Sequence, residues 1–435
     1  MNSLNDNSLI QLFTEGLQSV LPSNFMAGLI KIDDHNIWVG NQKHKLLKNL
    51  KVIAFGKASS TMFDSFIDIV GEKNISNAIV ITHMESKYAS EKYDEKIRVI
   101  NSSHPDIDKS SLIAGKSVLE FAHDCTKDDL VIVLISGGGS AMMVYPEDGV
   151  TFSQKSEYLN TLLLQGIGER EVNVVRKALS KIKGGKLAVE LHPAKIVNLI
   201  LSDEREHKIN AISSGPTVRP DNNENAIKIL KENMLWEQTP IYIKNNLKLV
   251  GNTINNEELN IFSKILPGRD KMIEELERLS KKYKYDSIHV LSPLFPSNFD
   301  VSVETLIKSY SDIYKECKQG KTLVIGTGEI PIKVVKGGQG GRNQHLAAAI
   351  MHKLKIIPKF SFAALATDGC DYIKGYWGAC VDRKIVDCAK KLKLDIENYL
   401  NTTNTYYLHE KLGSLVGGGY TGTNVSDFYL LSFEK

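Results

Sequence analysis

Leu130-Val-Ile-Val-Leu-Ile135, running straight into Ser136-Gly137-Gly138-Gly139-Ser140-Ala141, is the stretch on which the reading of the fold turns. Six consecutive apolar residues leave no polar face, so they read as a strand buried on both sides, the kind found in parallel sheets. Shorter runs of the same type lie on either side: Lys51-Val-Ile-Ala-Phe55, Asn77-Ala-Ile-Val-Ile-Thr82, Ile97-Arg-Val-Ile100 and Ile196-Val-Asn-Leu-Ile-Leu201. Segments between them, such as 110–123, carry helical periodicity. Alternating strands and helices predict an α/β chain with a parallel sheet covered on both faces.

Further out, apolar residues from Ser8 to Leu21 follow helical spacing, and Pro22 is expected to stop that helix. Residues from about 222 to 286 are charged and read as mainly helical. A second strand-rich region starts at Thr322-Leu-Val-Ile325. It continues through Ile332-Lys-Val-Val335, 360–366 and Phe428-Tyr-Leu-Leu431. The expected organisation is an N-terminal domain over 1–240, a helical connection over 241–310 and a smaller α/β domain over 311–435.

The chain of 435 residues is 42% hydrophobic and 24% charged, with 54 basic and 51 acidic residues. That balance argues against a nucleic-acid or membrane-surface partner. The five cysteines (Cys125, Cys317, Cys370, Cys380, Cys388) are scattered and form no CxxC, so neither a disulfide framework nor a zinc site is expected. Cys370, beside Asp368 and Asp371, reads as a small buried residue or a reactive thiol. The N-terminus lacks the pattern of a signal peptide, and a cytoplasmic protein is the expectation.

Five segments with chemistry in them follow predicted strands, where open α/β sheets form their ligand crevice. Gly56-Lys57-Ala58 puts a lysine at a strand-to-helix turn, suited to a phosphate if it is not simply solvated. Ser136, Gly137, Gly138, Gly139 and Ser140 let backbone amides converge on an anion, though neither GxxxxGK[ST] nor GxGxxG is present. Ser202-Asp203 precedes Ser213-Ser214-Gly215-Pro216-Thr217. Asp203 could hold a substrate hydroxyl or cap a helix. Gly337-Gly338-Gln339-Gly340-Gly341-Arg342-Asn343 joins flexible backbone to a guanidinium, and reads as a phosphate site or a mobile loop. Asp368, Asp371 and Asp382, with the segment 417–427, could hold Mg²⁺ or serve as turn residues.

In this order the segments resemble the glycerate 2-kinase family, whose C-terminal part is called the MOFRL domain. The most specific matches are Leu134-Ile-Ser-Gly-Gly-Gly-Ser-Ala141, Asn173-Val-Val-Arg176 with Leu179-Ser-Lys-Ile-Lys-Gly-Gly185, Ser214-Gly-Pro-Thr217, Gly340-Gly-Arg-Asn343 and Thr421-Gly-Thr-Asn-Val425. His104-Pro105 also fits. The resemblance implies a Rossmann-like N-terminal domain, a smaller α/β C-terminal domain and an active site in the cleft between them. It implies Lys57, Asp203 and Arg342 as the catalytic group and ATP with Mg²⁺ as cofactors. It further implies Ser136 to Ser140, Gly340, Gly341 and Asn343 at the phosphates, and Arg176, Ser214, Thr421 and Asn424 at the substrate. Asp368 and Asp371 are the expected metal ligands.

The expected reaction is ATP-dependent phosphorylation of a small hydroxy acid, D-glycerate to 2-phosphoglycerate. The alternatives are an NAD(P)H-dependent hydroxypyruvate reductase and a non-catalytic phosphometabolite-binding protein. A homodimer stays open. Departures from the family pattern fall at Glu204-Arg-Glu-His-Lys208, Thr327-Gly-Glu-Ile-Pro331, Gly419-Tyr420 and Tyr372-Ile-Lys-Gly-Tyr-Trp377. They put the acceptor in question more than the reaction type.

Overall fold

A computed structural model describes residues 7–86, 93–203, 208–220, 223–248, 258–294 and 298–435. The altered residues 204–207 lie outside the described set. Compact packing divides the chain into two units. One holds the N-terminal residues to Phe25, Asp203 and the chain from Pro267 to Lys435. The other holds Met26–Ser202 and the segment ending at Leu266.

The second unit opens with a small antiparallel sheet of β1 (Ile30–Ile32), β2 (Asn36–Val39) and β3 (Gln42–Lys45). Its main sheet comprises β4 (Asn49–Phe55), β5 (Asn77–His83), β6 (Ile97–Ser102), β7 (Asp129–Ser136), β8 (Lys195–Leu201) and β9 (Ile261–Ile265), in the order β6-β5-β4-β7-β8-β9. Every pairing is parallel. Counted from β4, that is the doubly wound order 3-2-1-4-5-6, with its reversal between β4 and β7. The uninterrupted apolar runs are explained by burial on both sides. Ile53, Ile79, Val131 and Val133 meet residues of helices Lys109–His123 and Lys186–Leu191. Val52, Ala54, Val80 and Leu134, on the other face, are equally buried.

The first unit is built on β10 (Ser287–Val290), β11 (Lys321–Gly328), β12 (Phe360–Ala366), β13 (Tyr376–Asp382), β14 (Leu415–Gly417) and β15 (Asp427–Glu434), ordered β10-β11-β15-β12-β13-β14. Only β10 and β11 pair in parallel. Its core forms where helices Phe299–Glu316 and Arg342–Lys353 cover the sheet. Helix Asn7–Gln18 belongs here too, with the Phe13 ring 5.7 Å from Trp377 and 6.4 Å from Phe428.

Three expectations are corrected. Pro22 does not only end a helix: it is the first residue of the next one, Pro22–Leu29, where its missing N–H costs nothing. Ile332 to Val335 form no strand. The segment is largely exposed, and the Val335 N–H donates to Thr403 Oγ1 at 3.0 Å rather than to a sheet neighbour. The charged region after residue 222 also contributes strand β9, which closes one edge of the parallel sheet. As an edge strand its side chains are only half buried, so its sequence carries little of the apolar signature.

Candidate active site

The parallel sheet delivers its loops at the carboxyl ends of β4, β7 and β8. Lys57 follows β4, and the glycine-rich stretch follows β7, on the two strands that flank the reversal. These two turns are stitched together. The Lys57 N–H donates to Gly137 O at 2.8 Å, and the Ala58 N–H donates to Ser136 Oγ at 2.9 Å. Gly138 has φ +88°, and a Cβ there would lie 2.9 Å from Lys57 Cγ and 3.1 Å from the His104 ring. Glycine is therefore required at this position by close approach as well as by backbone conformation. Gly139 donates its N–H to Ser213 Oγ at 3.1 Å, and Ser213 Oγ donates to Ser136 O at 2.7 Å. Ser213 and Ser214 both take positive φ values, and the Ser214 hydroxyl meets that of Ser140 at 2.7 Å. The two serine-bearing segments form one polar layer beside Lys57.

Arg176 lies on helix Glu169–Ala178, where Nη1 donates to Asn173 Oδ1 at 3.3 Å. The turn after that helix carries Lys183, whose Nζ donates to Ser140 O at 2.6 Å.

In the other unit, the antiparallel register brings acidic residues to one sheet end. Asp427 opens β15 opposite Gly328 on one side and Ala366 on the other, which places Glu329 and Asp368 beside it. Arg342, the first residue of helix Arg342–Lys353, enters this group. Its Nε and Nη2 donate to the two Asp427 oxygens at 2.5 and 3.0 Å, and Nη1 donates to Glu329 Oε2 at 3.0 Å. Arg342 Nη2 is 2.9 Å from Glu329 Oε1. Burial pushes the Asp427 carboxyl up to about 6 against the pull of Arg342. The two carboxylates hold the guanidinium far above its usual range against the opposing effect of burial.

Asp371 has a different task. Its Oδ1 accepts from the Asn343 N–H at 2.9 Å and its Oδ2 from the Gln344 N–H at 2.8 Å. Both oxygens thus cap the helix that carries Arg342. Burial pushes this carboxyl up to about 7, against those two backbone donors. A Cβ on Gly341 would fall 2.0 Å from Asp371 O, so this glycine lets the capping turn close against the helix. Gly340 is held in the same way beside Thr405. Asp368 Oδ1 accepts the Cys370 N–H at 3.0 Å, a local turn contact. Among the described residues no three His, Cys, Asp or Glu side chains are grouped to hold a metal. Mg²⁺ in kinases is held by one or two carboxylates together with substrate phosphates, and Asp371 here has both oxygens on the helix start.

Asp203 accepts from Asn424 Nδ2 at its Oδ2, 2.8 Å away. Thr421 Oγ1 donates to Thr367 O at 2.5 Å, and Thr423 Oγ1 donates to Val20 O at 2.7 Å. The segment 421–424 is thereby tied to the turn after β12 and to the N-terminal helices. Thr421 and Asn424, expected from sequence at the substrate, hydrogen-bond the loop after β12 and Asp203 respectively.

Sequence reasoning gave no role to Glu329, Lys183 or His104. Asp427 appeared only as the end of a glycine-rich segment. The available signal for Glu329 and Asp427 was position: each sits at a strand end next to a residue already singled out.

A family model described as a domain of unknown function (DUF4147) matches residues 8–248, and the MOFRL family matches 322–427. The chain belongs to the glycerate 2-kinase family. A glycerate 2-kinase of Sulfurisphaera tokodaii is 33% identical over 87% of this chain and 89% of its own. Another, from Pyrococcus horikoshii, is 29% identical over 97% of this chain and 96% of its own. The crystal structure of glycerate kinase from Thermotoga maritima superimposes with a TM-score of 0.77 at 25% identity, covering 98% of both chains. The glycerate 2-kinase resemblance therefore extends through both units and through the fold.

Proposed function

We propose that this chain is a glycerate 2-kinase, moving the γ-phosphoryl group of ATP to the 2-hydroxyl of D-glycerate. The observation that carries the reading is the lysine turn at the reversal of a doubly wound sheet, packed directly on the glycine-rich loop, in a chain of that family. Phosphoryl transfer asks for positioning and for cations around the phosphoryl oxygens rather than for covalent catalysis. Lys57, backed by Gly137 and Gly138, supplies one such cation. Ser140 and Ser214, whose hydroxyls meet, supply hydroxyl contacts to the phosphates, while the buried Ser136 hydroxyl holds the lysine turn.

Asp203 accepts the proton of the attacking 2-hydroxyl, with Asn424 orienting the carboxylate. The oxygen then bonds to the γ-phosphorus as the bridge to ADP breaks. Arg342 is held by Asp427 and Glu329 in a fixed plane, so that its charge is aimed and its reorganisation on binding is small.

The reductase reading is disfavoured at the same place. A dinucleotide-binding Rossmann sheet carries its GxGxxG fingerprint in the first βα turn, and here that turn is Gly56-Lys57-Ala58-Ser59. The deciding assay sets ATP consumption with D-glycerate beside NADH oxidation with hydroxypyruvate. Phosphorylated glycerate with no NADH loss is expected, and the reverse pattern rejects the kinase. A binding-only protein is rejected by turnover that Lys57→Ala and Asp203→Ala each abolish while the protein stays folded.

A further inference from the structure

Three lysines, Lys155 and Lys183 buried and Lys186 half-buried, lie around the turn that follows helix Glu169–Ala178, and they do not share one explanation. Lys155 Nζ donates to Leu179 O at 2.7 Å, and Lys186 Nζ donates to Ala178 O at 2.8 Å. Those carbonyls end the helix, so both cations serve its C-terminus, where positive charge is favourable. Lys186 is also paired with Glu147 at 2.5 Å. Lys183 points elsewhere, toward the glycine-rich loop. It is 3% exposed, and its ammonium meets the Ser140 carbonyl but no carboxylate within ion-pair distance among the described residues. The Arg176 charge, on the preceding helix, acts against the Lys183 ammonium. An ammonium buried against one neutral carbonyl, beside an arginine, is costly unless an anion completes it.

We infer that Lys183, with Arg176 beside it, forms an anion subsite next to Ser140 and Ser214 that takes a negatively charged group of a reactant. This deepens the kinase reading and rests on it for the identity of the reactant. Two sources share the required chemistry: the carboxylate of the hydroxy acid and a phosphate of the nucleotide. In the free protein, burial and Arg176 hold the ammonium down at about 7. Lys155, which feels the charge of Lys183, is itself surrounded by Lys186, Arg176 and Glu147. An entering anion raises the proton affinity of Lys183, so binding at slightly alkaline pH draws a proton from solvent.

The test is calorimetry of D-glycerate, and separately of ADP, binding to the full chain at pH 8 in two buffers of different ionisation enthalpy. Uptake approaching about one proton is expected for the ligand whose anion sits here, falling away at pH 6 where Lys183 is already charged. Uptake with glycerate assigns the carboxylate, and uptake with ADP assigns the phosphate. Lys183→Met should abolish the uptake and weaken that ligand roughly 10–100-fold, as for loss of a charge-assisted hydrogen bond. Lys183→Arg, permanently charged, should bind at pH 8 without uptake, which covers the case in which the methionine variant fails to fold. No proton uptake with either ligand, or uptake retained in Lys183→Met, overturns the subsite. Proton-linked glycerate binding without phosphoryl transfer would instead reject the kinase reading and leave the subsite standing.

Discussion

At the scale of single residues, the arginine and its two carboxylates are the most consequential group. Arg342→Ala should lower kcat by ~10³-fold or more if the guanidinium meets transition-state charge. It should also destabilise by about 3–5 kcal/mol, because buried Asp427 loses its only cationic partner among the described residues. Denaturant titration beside steady-state kinetics separates the two effects. Near-native activity in a folded Arg342→Ala protein removes the residue from the chemistry.

Asp371→Asn gives a contrasting expectation. Asn keeps one acceptor oxygen but loses the second acceptor and the charge that the carboxyl carries above about 7, costing roughly 1–2 kcal/mol. The Mg²⁺ concentration that supports half-maximal turnover should not move, whereas a metal ligand would shift it at least tenfold.

Lys183 also predicts a pH dependence. Its folded value of about 7 lies below its usual 10.5, so between these the unfolded chain holds the proton that the folded chain has released. Stability should therefore rise with pH across that window, by at most ~1.4 kcal/mol per unit from this group. Denaturant midpoints at pH 7.5 and 9.5 should diverge in the wild type and diverge less in Lys183→Met, where Lys155 and Lys186, also lowered by burial, remain.

At the scale of elements, the two turns at the sheet reversal are mutually dependent. Gly138 is left-handed and sits against Lys57 and His104. Gly138→Ala should cost roughly 1–3 kcal/mol in strain and displacement and should lower activity through Lys57. A variant with wild-type kcat and unchanged melting temperature would show that the turns are not coupled.

These elements also show which signals sequence carries. β4 and β7 were legible because burial on both faces leaves an uninterrupted apolar run, and β8 because its run is broken only by the buried Asn198. β9 was not, since an edge strand half exposed to solvent resembles the charged helices around it. Ile332 to Val335 misled for the opposite reason: it has strand composition without a strand neighbour, and pairing is a tertiary fact.

At the scale of the whole molecule, the chain does not divide into two sequential halves. Helix Asn7–Gln18 packs with the C-terminal unit through Phe13 on Trp377 and Phe428. A fragment beginning at residue 258 should fold poorly, exposing those rings, and should recover near-native stability when the first 25 residues are linked to it. Phe13→Ala in the full chain should cost about 3–5 kcal/mol, since the ring is fully buried. Equal melting behaviour of the fragment with and without the N-terminal segment would contradict this.

The sequence by itself determined the α/β class, the parallel sheet, the position of Lys57 and the glycine-rich loop, and the family, because these are written in local runs and in the order of motifs. The partners of Arg342, the capping role of Asp371, the glycines demanded by backbone contact and the contact of Lys183 with the Ser140 carbonyl were decided only by tertiary structure. Each of those depends on which groups from distant segments share a low-dielectric space. Charge and hydrogen bonding act over a few ångströms of space, whatever the separation along the chain.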